Sequence, residues 1–118
     1  MTGLPDLNDD VLDKLGHSYG PKFVRELIGL FLEHVPKNIS AAVAAEKAGD
    51  LVAVARAAHS VKSSAGNIGA EALLEIAGEI EKLASQGRGE TLTPLMRRLE
   101  SAFSRLSTRL ELRKNKVD

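Results

Sequence analysis

The chain has no cysteine and no tryptophan, and its aromatic side chains are limited to one Tyr and three Phe. Without cysteine there is no disulfide framework, no thiolate metal site and no thiol nucleophile. With so few aromatics the core must be built from Leu, Ile, Val and Ala, a composition that favours helices. Neither sign of charge dominates: sixteen Lys and Arg balance sixteen Asp and Glu. A neutral chain lacks the positive footprint that nucleic-acid binding requires, so no such partner is expected. The start, Met1-Thr2-Gly3-Leu4-Pro5-Asp6, has no basic region with an apolar run behind it, and no apolar stretch approaches transmembrane length. These absences lead to the expectation of a soluble, cytoplasmic domain with no membrane partner. What is present is ordinary for a globular protein. At 43% hydrophobic and 27% charged, 118 residues suffice for one domain spanning 1–118.

Apolar spacing of three and four residues recurs almost throughout, and strand patterns are missing. Asn8 is placed to cap a short helix carrying Val11, Leu12 and Leu15, which Gly16 is expected to end. Pro21 suits the first turn of a second helix with Phe23, Leu27, Leu30, Phe31 and Val35 on its stripe. Pro36 is expected to kink or restart this helix before Ile39 and Val43 carry it to Ala48-Gly49-Asp50. Asp50 then caps a third helix bearing Leu51, Val54, Ala58, Val61 and Ala65, which ends near Gly66-Asn67-Ile68-Gly69. The fourth carries Leu73, Leu74, Ala77, Ile80 and Leu83 and stops at Gln86-Gly87-Arg88-Gly89. The fifth starts near Thr91 with Leu92, Leu95, Leu99, Ala102, Leu106 and Leu110 inward. Short connections between long amphipathic helices predict an all-α, antiparallel, up-and-down four-helix bundle with a short additional N-terminal helix. Its core spans about residues 20–110, with 1–6 and 113–118 expected to be loose.

Three histidines are candidates for chemistry. His17 falls in Gly16-His17-Ser18-Tyr19-Gly20, which reads as a surface loop. His34 sits on the apolar side of its helix just before Pro36, where a lone histidine is more often a spacer than a functional group. His59 has more informative neighbours. At 100° per residue it lies at the boundary between the apolar face, centred near Ala58 and Ala65, and solvent. One or two turns away on the same strip are Ala55, Lys62, Ser63 and Gly66. All but Lys62 are small, so the imidazole is open to a second protein. The Lys62 ammonium can reach the same space, where it would stabilise the charge on a phosphoryl group's oxygens. Its charge also disfavours a second positive charge on the ring. Ser63 and Ser64 add hydroxyl donors. A His-x-x-Lys pair on a helix is nonetheless common, and chemistry alone does not make it a phosphate site.

The run His59-Ser60-Val61-Lys62-Ser63-Ser64-Ala65-Gly66-Asn67-Ile68-Gly69-Ala70 resembles the motif of histidine-containing phosphotransfer (HPt) domains, approximately H-x-[LIV]-K-G-[SA]-[SA]-x-x-[LIF]-G-A. Ala57-Ala58 lead in, and Glu71, Glu75 and Glu79 follow on an acidic amphipathic helix. Phe31-Leu32-Glu33-His34-Val35-Pro36 and Ala48-Gly49-Asp50-Leu51 also look like the family's second helix and its exit, so the resemblance covers roughly residues 7–110. It implies that His59 is the phosphoacceptor through Nε2 and Lys62 the phosphate-facing cation. Asn67, Gly69 and Ala70 would belong to the tight turn between the central helices. The family usually has glycine after the lysine, where this chain has Ser63. That departure bears on how closely a partner fits and not on the phosphoacceptor.

What the resemblance implies is a phosphocarrier of a multistep two-component phosphorelay, and not an enzyme. A receiver domain of a hybrid histidine kinase would phosphorylate His59, which would then phosphorylate the receiver of a response regulator. No Gly-rich phosphate loop or nucleotide site is present, so no ATP chemistry of its own is expected. No cofactor is expected on this chain either; with no acidic cluster evident beside His59, the Mg2+ is assigned to the receiver. Alternatives are a helical adaptor that docks onto receivers without accepting phosphate, and the HPt segment of a larger hybrid kinase; Met1 and the basic, polar ending favour an autonomous protein. A ferritin-like metal bundle would need Glu-x-x-His pairs, and none occurs. The apolar stripes suffice for one bundle, so a monomer is expected.

Overall fold

The Asn8 side chain accepts a hydrogen bond from the Asp10 backbone N–H (3.1 Å) and so starts the first helix, α1, Asp9–Tyr19. Asp9 and Asp10 in its first turn complement the positive end of the helix dipole. A computed structural model describes residues 3–116 of the chain. The other helices are α2 (Pro21–Lys47), α3 (Leu51–Ile68), α4 (Glu71–Ser85) and α5 (Leu92–Lys114). A 3-10 turn at Gly89–Thr91 leads into α5, and there is no strand among the described residues.

Several helix ends differ from the expectation. Gly16 does not stop α1, which runs to Tyr19 and is ended by Gly20 at φ 93°. A Cβ on Gly16 would meet Val24 Cγ2 at 3.4 Å, so this glycine marks where α1 passes close to α2. His17 accordingly lies in the last turn of α1, exposed, and not in a loop. Pro36 does not restart α2, which is unbroken over 27 residues. An interior proline costs about 3 kcal/mol. Val35 and Ile39 on either side of it are buried, and each such side chain contributes roughly 1.5–3 kcal/mol, enough to hold the helix together. The inward stripe of α2 is Val24, Ile28, Phe31, Val35, Ile39 and Ala42. Phe23 and Leu30, read as inward, lie off this stripe and are 39% and 54% exposed.

The α3 cap is as expected, with the Asp50 side chain accepting from the Ala53 N–H (3.1 Å). The helix continues through Gly66 and Asn67 to Ile68, however, and Gly69 at φ 84° closes it with its N–H on the Ala65 carbonyl (3.1 Å). Asn67 therefore belongs to the last turn of α3, and the connection to α4 is Gly69 and Ala70 alone. α5 buries the stripe expected of it, Leu92 through Leu110, and α3 buries Val54, Ala58, Val61 and Ala65 as expected, while Leu51 at its start is only half-buried. On α4 the buried residues are Ala72, Leu73, Ile76, Ala77, Ile80 and Ala84, while Leu74 is 38% exposed.

α3 packs between α2 and α4, and α5 closes the ring by packing on both of the same two helices. α1 lies against α2 and over the α3–α4 connection, where the Asn8 N–H donates to the Gly69 carbonyl (2.8 Å) and the Ala72 N–H to the Pro5 carbonyl (3.0 Å). Three arginines spaced one turn apart on α5 hold the same segment. Arg105 pairs with Asp6, Arg109 with Asp9, and Arg113 with Asp9 and Asp13. Parts of the ends expected to be loose, at Pro5–Asp6 and Arg113, are thus anchored; residues 1, 2, 117 and 118 lie outside the described residues.

Candidate functional site

The outward line of α3 runs Val52, Arg56, His59, Ser63 and Gly66, spaced four and three residues apart and all exposed. It stands beside the core stripe Val54, Ala58, Val61, Ala65 and Ile68. His59 therefore occupies the open boundary its position in the sequence indicated, with 59% of its side chain accessible.

α4 supplies a partner that the sequence reading missed. Glu81 accepts from His59 Nδ1 through Oε2 (2.8 Å) and from Lys62 Nζ through Oε1 (2.8 Å). The register that brings them together was readable in principle. The α3–α4 hairpin turns at Ala70, and residues equally distant from it meet. Gly66 faces Leu74, Lys62 faces Gly78, and His59 faces Glu81, at four, eight and eleven residues on either side. Gly78 leaves the space across which the Lys62 stem lies, since a Cβ there would touch Lys62 Cδ at 3.4 Å. Glu71, Glu75 and Glu79, the acidic residues singled out on this helix from the sequence, do not fall on this stripe.

Lys62 holds the Glu81 carboxyl below its ordinary value of 4.5; partial burial opposes this, and the bond from His59 adds to it. An ionised carboxylate only accepts hydrogen bonds, so the nitrogen facing it must carry the proton. The Nδ1–H tautomer follows, and in the neutral ring the lone pair then sits on exposed Nε2. The charge of Lys62, read from the sequence as a cation facing phosphate, is matched here by Glu81.

The remaining candidates divide by position. Ala55 lines a shallow depression with Arg56, His59, Ser60 and Glu81. Ser63 and Gly66 share the exposed line of His59, and Ser63 makes no hydrogen bond among the described residues. Ser64 and Asn67 face the opposite flank, where they line a cavity of about 130 Å3 with Leu27, Leu30 and His34 of α2. Gly69 and Ala70 are buried under α1, roughly 15 Å along the helix from His59 at 1.5 Å per residue. They set the hairpin register and do not touch the ring. Among the described residues no group of three or more His, Cys, Asp or Glu could hold a metal ion, and no helix is long and apolar enough to cross a membrane.

The crystal structure of histidine-containing phosphotransfer protein B (HptB) from Pseudomonas aeruginosa PAO1 superposes with a TM-score of 0.91 at 25% identity, covering 98% of this chain and all of that one. No curated protein sequence matches significantly. The profile of the Hpt domain matches residues 26–109, a stretch that takes in His59, Lys62 and Glu81. With most of its length matched, the chain belongs to the Hpt domain family.

Proposed function

We propose that the protein is a phosphorelay intermediate that carries a phosphoryl group between receiver-domain aspartates on His59 Nε2. The observation that carries this reading is the clamp on one side of the ring: Glu81 holds Nδ1–H, which leaves the lone pair of the neutral ring on Nε2 in a side chain that is 59% accessible. In the forward step that lone pair attacks the phosphorus of an aspartyl phosphate, and the bond from phosphorus to the carboxyl oxygen breaks. The aspartate leaves as carboxylate. The ring gains positive charge as the new bond forms, and the Glu81 carboxylate at 2.8 Å lies where it stabilises that charge. Transfer to a second aspartate is the same step reversed. Lys62 adds donors at the edge of the phosphoryl oxygens while remaining paired with Glu81.

The magnesium ion that such transfer uses is assigned to the receiver, because both oxygens of Glu81 already accept from His59 and Lys62. Hpt proteins are phosphocarriers without their own ATP site, and this chain is read in the same way. The closed ring formed by α2, α3, α4 and α5 supports the four-helix bundle reading, with α1 as the additional helix. We take the carrier to act as a cytoplasmic monomer.

A pulse-chase experiment separates this function from that of a docking adaptor. Labelled phospho-receiver is mixed with the protein, and excess unlabelled receiver is then added. A carrier takes up label and gives it back. Binding without uptake would establish the adaptor and refute the carrier.

A further inference from the structure

The phosphoacceptor reading leaves open which group supplies net positive charge to the bound phosphoryl, and the structure assigns this to Arg56. Resting on that reading, we propose that Arg56, one turn before His59, holds the phosphoryl group on Nε2.

Three observations carry the assignment. Side chains on a helix lean toward its N-terminus, so the His59 ring covers the turn containing Ala55 and Arg56 and not the turn after it. Ala55, Arg56, His59, Ser60 and Glu81 accordingly line one depression of about 370 Å3, open to solvent, beside the ring. The ionised groups on it and at its edge are Arg56, Glu81 and Lys62. Glu81 and Lys62 form a matched pair, whereas the Arg56 guanidinium has no ion pair or hydrogen bond among the described residues. With the ring neutral the local charge is therefore that of Arg56. Guanidinium also suits the task geometrically, since its planar fork of N–H donors matches two oxygens of a phosphoryl group. Glu81 does not capture it, because both carboxylate oxygens already accept from His59 and Lys62. Arg56 in turn lies on the open line with His59, where a phosphoryl group on Nε2 comes within its reach.

The test needs no partner protein. Phosphoramidate phosphorylates exposed histidine directly: the Nε2 lone pair attacks phosphorus, the P–N bond breaks, and nitrogen leaves as ammonia. The phosphohistidine of the full chain is then titrated by 31P NMR. One unmatched unit charge at about 6 Å in a solvent-like dielectric moves a phosphate's second ionisation by about half a pH unit. Arg56→Gln is expected to raise that midpoint by about this much, and Arg56→Lys to restore most of it. Arg25→Gln removes an exposed guanidinium beside α1 and the end of α5, away from His59, and should leave the midpoint at the wild-type value. An unmoved midpoint in Arg56→Gln overturns the assignment, and so does an Arg25→Gln midpoint that shifts as far as that of Arg56→Gln. Absence of any His59 phosphohistidine resonance in the wild type defeats the phosphoacceptor reading itself.

Discussion

Replacing Gly69 by alanine tests the hairpin on which the site depends. Gly69 is at φ 84°, a left-handed conformation that costs an L-residue about 1–2 kcal/mol. Its Cβ would also lie 2.9 Å from the Asn8 carbonyl oxygen and from Val11 Cβ and Cγ2, closer than such atoms approach. One of these is backbone, so relief requires α1 to move off the α3–α4 connection. That loosens the 2.8 Å bond from the Asn8 N–H to the Gly69 carbonyl, worth roughly 0.5–1.5 kcal/mol. The sum is a loss of about 1.5–3.5 kcal/mol, before any exposure of Leu7 and Leu12, which are buried in the same segment. Urea unfolding at unchanged m-value measures it. Gly66→Ala is the control with the opposite sign. Gly66 is interior to α3, and its Cβ would meet only the Cδ1 of partly exposed Leu74 at 3.3 Å. Because glycine costs up to ~1 kcal/mol relative to alanine inside a helix, this variant should be more stable than wild type. A loss below about 1 kcal/mol for Gly69→Ala, or equal losses for both variants, would refute the reasoning.

Two further outcomes follow from the site. The folded-state pKa of Glu81 is depressed, so its contribution to stability is fully present above 4.5 and is lost as pH falls through the folded value. The stability difference between wild type and Glu81→Gln should therefore shrink in acid, and a difference that grows below pH 4.5 would contradict the ion pair. Ser63→Gly removes an exposed hydroxymethyl group from the line carrying His59 and is expected to alter transfer rates unequally across a panel of receiver domains. Equal rates would remove Ser63 from partner choice.

Much of this architecture was legible because helices write their burial into the sequence. The stripes of α3 and α5 were largely readable, since each presents one apolar face: only Leu51 of the expected residues is half-buried, and Ile68 and Met96 are buried besides. Asn8 and Asp50 cap because their side chains suit that geometry. Helix ends were harder to read. Gly16 and Gly66 looked like stops, but both are helical glycines facing a neighbour, Val24 in one case and Leu74 in the other. Sequence alone does not distinguish a glycine that ends a helix from one that lets another element approach. In α2 more apolar residues are present than one stripe can bury, and Phe23 and Leu30 were assigned to the wrong side. At the site, His59 and Lys62 were readable because they share one helix. Glu81 was not read, because its place depends on the hairpin register set by the Gly69–Ala70 connection.

The central claim is tested most directly by transfer of label from a phosphorylated receiver domain to the wild type and to His59→Gln, His34→Gln and His17→Gln. One phosphoryl group per chain is expected, bonded to Nε2 and lost only in His59→Gln. A His59→Gln protein that accepts label as well as the wild type does would contradict it.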